Sequence, residues 1–330
     1  MEKCEVVSLF RPRFREENNY MENIKINHHE LFSQGSLTLG LMFPLESYDG
    51  DVPTMANQES LACLAEEAGF SALWFRDVPL RDPMFGDVGQ IYDPISYMAW
   101  IAAHTKRVKL ATGSLILPLR HPVHLAKSLA SLNILSNGRI VAGVASGDRP
   151  VEFPAFGVDP EFRGQLFREH FETLKTLLYD TLPRYNNSYG VLDGQADSLP
   201  KAKEVIPLLV TGHSQQSLDW VAKNADGWIT YPRPLAIHDR IVKQWYRILD
   251  ENNQPFKPFA QSLYVDLVAD PSTLPTPIHL GIRTGIKALL NYLLHLKGLG
   301  VNHVTINLKY GKRPAKEVIQ ELGEYVLPSI

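Results

Sequence analysis

Three short segments place small and hydroxyl-bearing residues where an apolar run gives way to a helical pattern. TGHSQQS (211–217) follows one such run. Gly212 allows close backbone approach, Ser214 and Ser217 offer hydroxyl donors, and His213 can add positive charge. Free amides at a helix start attract anions, so this turn can hold a phosphate. It can equally be a plain helix N-cap. ASGDRPVEFPAFG (145–157) begins with Ala145, Ser146 and Gly147, which leave room for a flat ring. It then crowds Asp148, Arg149 and Glu152 onto one loop, an arrangement that a salt-bridged loop without ligand also explains. TGSLILPLRHP (112–122) brings Thr112, Gly113 and Ser114 to a third such end. His121 directly precedes Pro122 there and can cap the helix that the proline opens.

Phe43, Arg76, Asp77, Tyr231, Arg233 and Arg283 stand near the ends of other apolar runs. As catalytic candidates, Arg76, Asp77, His121, Tyr231 and Arg283 can position a substrate or a proton; as ordinary residues they form rim salt bridges or caps. No nucleophile–base pair stands out, and no metal site is expected. His279 in HLGIRTG (279–285) has no partner at ligand spacing, which argues against a metal-dependent hydrolase.

The elements that must position these residues alternate in type. Strand-like runs occur at 37–43, 71–75, 108–117, 139–145, 206–212, 227–231, 259–268 and 301–308. Helical patterns lie between them, near 55–68, 94–104, 122–138, 160–179, 215–224, 235–251 and 285–298, and one opens at Pro314. Their expected buried faces include Leu61, Leu64, Ala65 and Ala68; Val123, Ala126, Ala130 and Ile134; and Ile286, Leu289, Leu290, Leu293 and Leu294. Gly69 and Gly138 supply C-terminal stops. Eight strand–helix units close a (β/α)₈ TIM barrel, in which function sits on the loops after the strands. An open doubly wound sheet is the runner-up, but no GxGxxG follows the first strand. Residues 1–36, rich in Arg, Glu and Asn, read as an N-terminal arm preceding a barrel over 37–330; Met21 is a second possible start. A polar connection at 180–205, with NNSYG, reads as a hairpin or excursion.

With 330 residues the chain fits one barrel, and 45% hydrophobic against 21% charged residues is ordinary for a globular protein. A net charge of −3 without a basic stripe excludes an electrostatic nucleic-acid binder. Cys4 and Cys63 cannot build a disulfide framework, and Cys63 is expected to be a small buried hydrophobe. No apolar run is long enough to span a bilayer and the N-terminus lacks a signal-peptide core, so no membrane partner and a cytoplasmic location are expected.

The order of several motifs resembles the luciferase-like flavin-dependent oxidoreductases: LPLRHPVHLAKSLASLNILSNGRIVAGVASG (117–147), NADGWIT (224–230) and GFSALWFRD (69–77). The likeness runs from about 37 to 326, with Asn133 where that family usually has Asp. RDVPLRDP, SGDRPVEFPAFG and NLKYGKRP are most similar to its uncharacterised luciferase-type oxidoreductases. The resemblance implies FMN, or the deazaflavin F420, at the barrel mouth. The ring would lie near Gly113, Ser114, Ala145, Ser146 and Gly147, and the phosphate near Gly212, His213, Ser214 and Ser217. Arg163 or Arg168 would replace a family arginine that is Ser146 here. The resemblance also implies a non-proline cis peptide at Gly113–Ser114. The expected activity is a monooxygenase using reduced FMN and O₂ on a small organic substrate, fed by a separate flavin reductase. An F420-dependent reductase or dehydrogenase and a non-catalytic flavin-binding protein are the alternatives, and a homodimer is possible on the same likeness.

Overall fold

The structure is a computed structural model that describes residues 31–89 and 91–330. Its elements run β1 (Thr38–Met42), α1 (Gln58–Ala68), β2 (Ala72–Phe75), α2 (Pro94–His104), β3 (Lys109–Thr112), β4 (Leu115–Ile116), α3 (Pro122–Leu135) and β5 (Ile140–Ala145). Then come α4 (Glu152–Ala155), α5 (Arg163–Tyr179), the hairpin β6 (Arg184–Asn187) and β7 (Gly190–Asp193), β8 (Leu208–Thr211) and α6 (Leu218–Asn224). The chain finishes with β9 (Gly227–Thr230), α7 (Leu235–Glu251), β10 (Phe259–Leu267), β11 (Thr276–Ile278), β12 (Gly281–Thr284), α8 (Ile286–Leu299), β13 (His303–Asn307) and α9 (Ala315–Tyr325).

Eight parallel strands, β1, β2, β3, β5, β8, β9, β10 and β13, pair in that order, and β13 pairs back onto β1 to close the barrel. Alternation along each strand sorts side chains into two cores. Leu39, Leu41, Leu73, Leu110, Ile140, Ala142, Leu208, Val210, Leu263, Val304 and Ile306 point outward and pack under the helices. Met42, Ala72, Trp74, Ala111, Val141, Leu209, Ile229 and Ala260 point inward and form a separate, smaller cluster with Leu31 and Phe32. These last two belong to the end of the expected arm. They are tied to the barrel by Thr38 Oγ1, which donates to Leu31 O at 2.9 Å, and by Asn302 Nδ2, which donates to Ser33 O at 3.3 Å. Residues 1–30 of the arm, Met21 included, lie outside the described residues.

Several boundaries differ from expectation for identifiable reasons. Helix α1 starts at Gln58, since Met55 and Asn57 are left-handed, and α6 starts at Leu218, since Ser214 and Gln215 are left-handed. The 180–205 excursion is the antiparallel β6–β7 hairpin. A second hairpin, β11–β12, adds a strand beside β10; Pro277 and Gly281 disguise it in sequence, and Gly281 is needed because a Cβ there would lie 1.9 Å from Tyr264 O. Cys63 is only half-buried, with its thiol 3.3 Å from His104 O. Leu294 is exposed, and Leu296 takes the buried place on α8. Leu61, Leu64, Ala68, Val123, Ile134 and Leu290 are partly buried, because each helix covers a broad outer wall rather than entering a closed core. Among the described residues no helix is long and apolar enough to cross a membrane.

Gly143 is where two barrel strands meet closely: a Cβ would fall 2.0 Å from Thr112 O. We expect Gly143→Ala to destabilise the barrel by more than about 3 kcal/mol, because a backbone atom cannot step aside. Gly298, in α8, has nothing within 4 Å of its added Cβ. Gly298→Ala should therefore stabilise by about 0.5–1 kcal/mol. Urea unfolding at constant m-value measures both.

Candidate functional site

The C-terminal ends of the barrel strands surround a cavity of about 620 Å³, within the roughly 300–1,000 Å³ usual for cofactor pockets. A second depression of about 700 Å³ lies on the outer wall between α8 and α9. Its Arg313 already pairs with Glu321 at 2.6 Å and Glu317 at 3.7 Å, so the strand-end cavity is the candidate site.

One half of its wall is small. Gly113, Ser114, Ala145, Ser146, Gly147, Gly212, His213 and Ser214 all line it. The Gly113–Ser114 bond is cis, and a Cβ on Gly113 would lie 3.1 Å from Met42 Cε and 3.2 Å from Trp74 Cε3. The Ser114 and Thr211 hydroxyls are hydrogen-bonded to each other. Beyond β8 the backbone curls, with positive φ at Gly212, Ser214 and Gln215. Ser214 Oγ donates to Thr211 O at 2.9 Å and accepts from Ser146 N at 3.3 Å, pinning this turn to the end of β5. The amides of His213, Ser214 and Gln215 donate to no group among the described residues. They form a set of unused donors where an anion would gain most.

The floor is Trp74. Its Nε1 donates to His303 Nε2 at 2.9 Å, which leaves the imidazole proton on Nδ1, 2.7 Å from Thr38 Oγ1. Burial without a charged partner pushes the His303 pKa down to about 3, so the ring stays neutral.

Over the cavity hangs the long loop after β2. Arg76 makes a bidentate pair with Asp87, and Arg149 Nη2 reaches the same carboxylate at 2.7 Å. Arg149 also lies over the Phe85 ring at 5.1 Å and 3.4 Å from Glu152. Burial raises the Asp87 carboxyl, but the arginines outweigh it, Arg76 foremost, and hold it at about 2. Asp77 lines the cavity but is already paired: it accepts from Ile116 N at 3.0 Å and from Arg120 at 2.7 and 2.9 Å.

Several expected site residues stand outside the cavity, and so does Phe43. Ser217 caps α6, accepting from Trp220 N at 3.1 Å. Arg163 donates to Pro160 O, and Arg168 is spent on Gln216 Oε1 and the Trp220 ring. His121 caps α3 by accepting from Val123 N at 3.3 Å. Arg283 pairs with Asp266 at 2.6 Å on the outer β12 strand. Phe43 is fully buried against Phe75 and Tyr97, because it has the opposite strand parity to the cavity-lining Met42. Tyr231, Arg233, Arg76 and Asp77 do line the cavity. Met42, Trp74, Tyr264, Thr305, Asn307 and Tyr310 also line it and were not expected from the sequence. Parity marks the strand residues among them; nothing local marks Tyr310. Every site residue expected from the sequence falls within the described residues.

Comparison with known proteins places this geometry. The family profile described as luciferase-like monooxygenase matches residues 37–273. An uncharacterised Mycobacterium tuberculosis (H37Rv) protein is 32% identical over 197 residues, covering 54% of this chain and 69% of that one. An F420-dependent secondary alcohol dehydrogenase in complex with an F420–acetone adduct superposes with TM-score 0.74 at 17% identity, over 89% of this chain and 99% of the other. The oxygenating constituent of the Pseudomonas putida 3,6-diketocamphane monooxygenase, in complex with FMN, does so with TM-score 0.69 at 15% identity, over 89% and 99%. At such identities the two structures establish the shared fold alone.

The depressed Asp87 pKa predicts a pH window. A carboxylate whose folded pKa lies below its unfolded value, usually near 3.8, adds stability above that value and loses it as pH falls through about 2. Asp87→Asn should thus be less stable than the parent by roughly 2 kcal/mol at pH 7, with the gap closing below about pH 3. Paired chemical denaturation at the two pH values checks this.

Proposed function

Because the chain belongs to the luciferase-like monooxygenase family, we propose that it is a flavin-dependent oxidoreductase, a monooxygenase that binds FMN in the strand-end cavity and uses the reduced flavin with O₂ on a small organic substrate. The observation that carries this reading is the pairing of a small-residue wall, Gly113 to Ser114 and Ala145 to Gly147, with the unused amides of His213, Ser214 and Gln215 on the same cavity. The first leaves a flat face for a ring, and the second offers neutral backbone donors to a phosphate. Bound reduced flavin would supply the electrons that activate O₂. The protein's own part is to seat the ring over Trp74, grip the phosphate at the 212–215 turn, and exclude water with the loop that Asp87 latches to Arg76 and Arg149. A separate flavin reductase is the partner this reading calls for.

A second reading, an F420-dependent dehydrogenase or reductase, draws on the F420-bound structure of the same fold. Titration of the purified protein with FMN, riboflavin and F420, followed by fluorescence quenching, separates the two. FMN should bind at least about tenfold more tightly than riboflavin, since a phosphate held by several amides adds charge-assisted hydrogen bonds. Ser214→Ala should erase most of that difference by loosening the turn. Ser217→Ala should leave it intact and instead lower stability by about 1 kcal/mol, as the loss of a helix cap does. Tight F420 binding without FMN binding would select the second reading. Oxygen uptake by the protein loaded with photoreduced FMN then tests the monooxygenase step.

A further inference from the structure

The half of the cavity opposite the small-residue wall has a different character. Tyr231 follows β9, Tyr264 lies on β10 and Tyr310 follows β13, and all three line the cavity. The Tyr264 and Tyr310 ring centroids are 5.0 Å apart at 44°, and His279, from the β11–β12 turn, completes a triangle at 6.2 Å from each. A wall of this kind offers π faces and ring edges, which suits a flat conjugated guest better than a branched aliphatic one.

The polar groups on this side are one-sided. The hydroxyls of Tyr231, Tyr264 and Tyr310 make no hydrogen bond among the described residues. Burial raises all three phenol pKa values, so each hydroxyl keeps its proton and can donate it. Arg233, held between Pro232 and Pro234, lines the cavity and has no ion-pair partner among the described residues. Lys309 stands behind, its Nζ 5.6 Å from the Tyr310 ring centre. The acceptors nearby are already taken: Asp87 by Arg76 and Arg149, Glu152 by Arg149. Asp148 is the exception; it and Arg233 are both exposed at the rim of the cavity, one acceptor against a cation and three phenol donors. What this wall lacks is a ligand rich in acceptors.

We propose that the substrate is a planar aromatic molecule bearing an acidic oxygen group, its ring against Tyr264 and Tyr310 and its anionic oxygens on Arg233 and the free tyrosine hydroxyls. This assignment rests on the cofactor occupying the small-residue half of the same cavity. It goes beyond the flavin reading by naming the guest of the other half.

The test uses three one-ring probes on the FMN-saturated protein, by calorimetry: benzoate, its uncharged isostere benzamide, and the non-planar cyclohexanecarboxylate. Benzoate should bind about tenfold more tightly than either, since each comparison removes one recognition element, the charge-assisted pair or the stacked ring. Arg233→Gln should abolish the benzoate–benzamide difference and keep the benzoate–cyclohexanecarboxylate difference. Tyr264→Leu should do the reverse, and Tyr310→Leu serves as its substitute should that variant fail to fold. Equal binding of the three probes, no benzoate binding at about 10 mM (weaker than a one-ring anion in a matched site should show), or discrimination that survives Arg233→Gln would overturn the proposal. So would displacement of benzoate by FMN, which would give the tyrosine wall to the cofactor. Flavin affinity is read separately by fluorescence: if FMN fails to bind while apoprotein keeps the benzoate preference, the cofactor reading falls and the substrate class stands.

Discussion

The contact between the Trp74 indole and the His303 imidazole governs the interior of this barrel. It exists because Gly40 carries no side chain: a Cβ there would lie 2.7 Å from both Trp74 Nε1 and His303 Nε2. Register explains the meeting. Gly40 pairs with Ala72 on β2 and with Thr305 on β13, and the Trp74 and His303 rings reach over it from those two neighbouring strands. The donor chain then runs from Trp74 through His303 and Thr38 to Leu31 O, linking the cavity floor to the plug at the opposite end. Every polar atom along it has a partner, which is the condition for burying polar groups inside an apolar barrel.

Above that floor the inward positions become small or polar, and the cavity follows from this change. Inward residues near the bottom, Ala72, Val141 and Leu209, fill the barrel with carbon; higher up come Gly113, Ala145, Thr211, Ser262, Thr305 and Asn307. A layered barrel core therefore stops short of the strand ends and leaves space where the loops converge. Chemistry can be placed there without weakening closure, because the outward core under the helices is complete on its own.

Charge is distributed so that the loop over the mouth is held by one carboxylate between two guanidiniums. An ion pair of this kind, partly shielded from solvent, contributes more than a surface pair. The same loop is also tied down by Arg81, which pairs with Asp51, and by Gly89 N, which donates to Asp51 O.

Fold and site differ in how far the sequence alone determined them. The eight strand runs and their intervening helices were legible because periodicity and proline–glycine punctuation are local, as at Pro122 and Gly138. The small-residue ends at 113–114, 145–147 and 212–214 were legible for the same reason, since the turn residues just beyond a strand mark its end. Only tertiary structure decided which hydroxyl and which cation serve the cavity. Ser214 and Ser217 are three residues apart in one motif, yet left-handed backbone at 214–215 delays α6 and turns one into the cavity wall and the other into a cap. Arg163 and Arg168 were expected beside the phosphate-like turn but are spent on Pro160 and Gln216. Tyr231, Tyr264 and Tyr310 come from three separate strand–helix units, and their convergence on one wall is a product of barrel closure that no local pattern encodes.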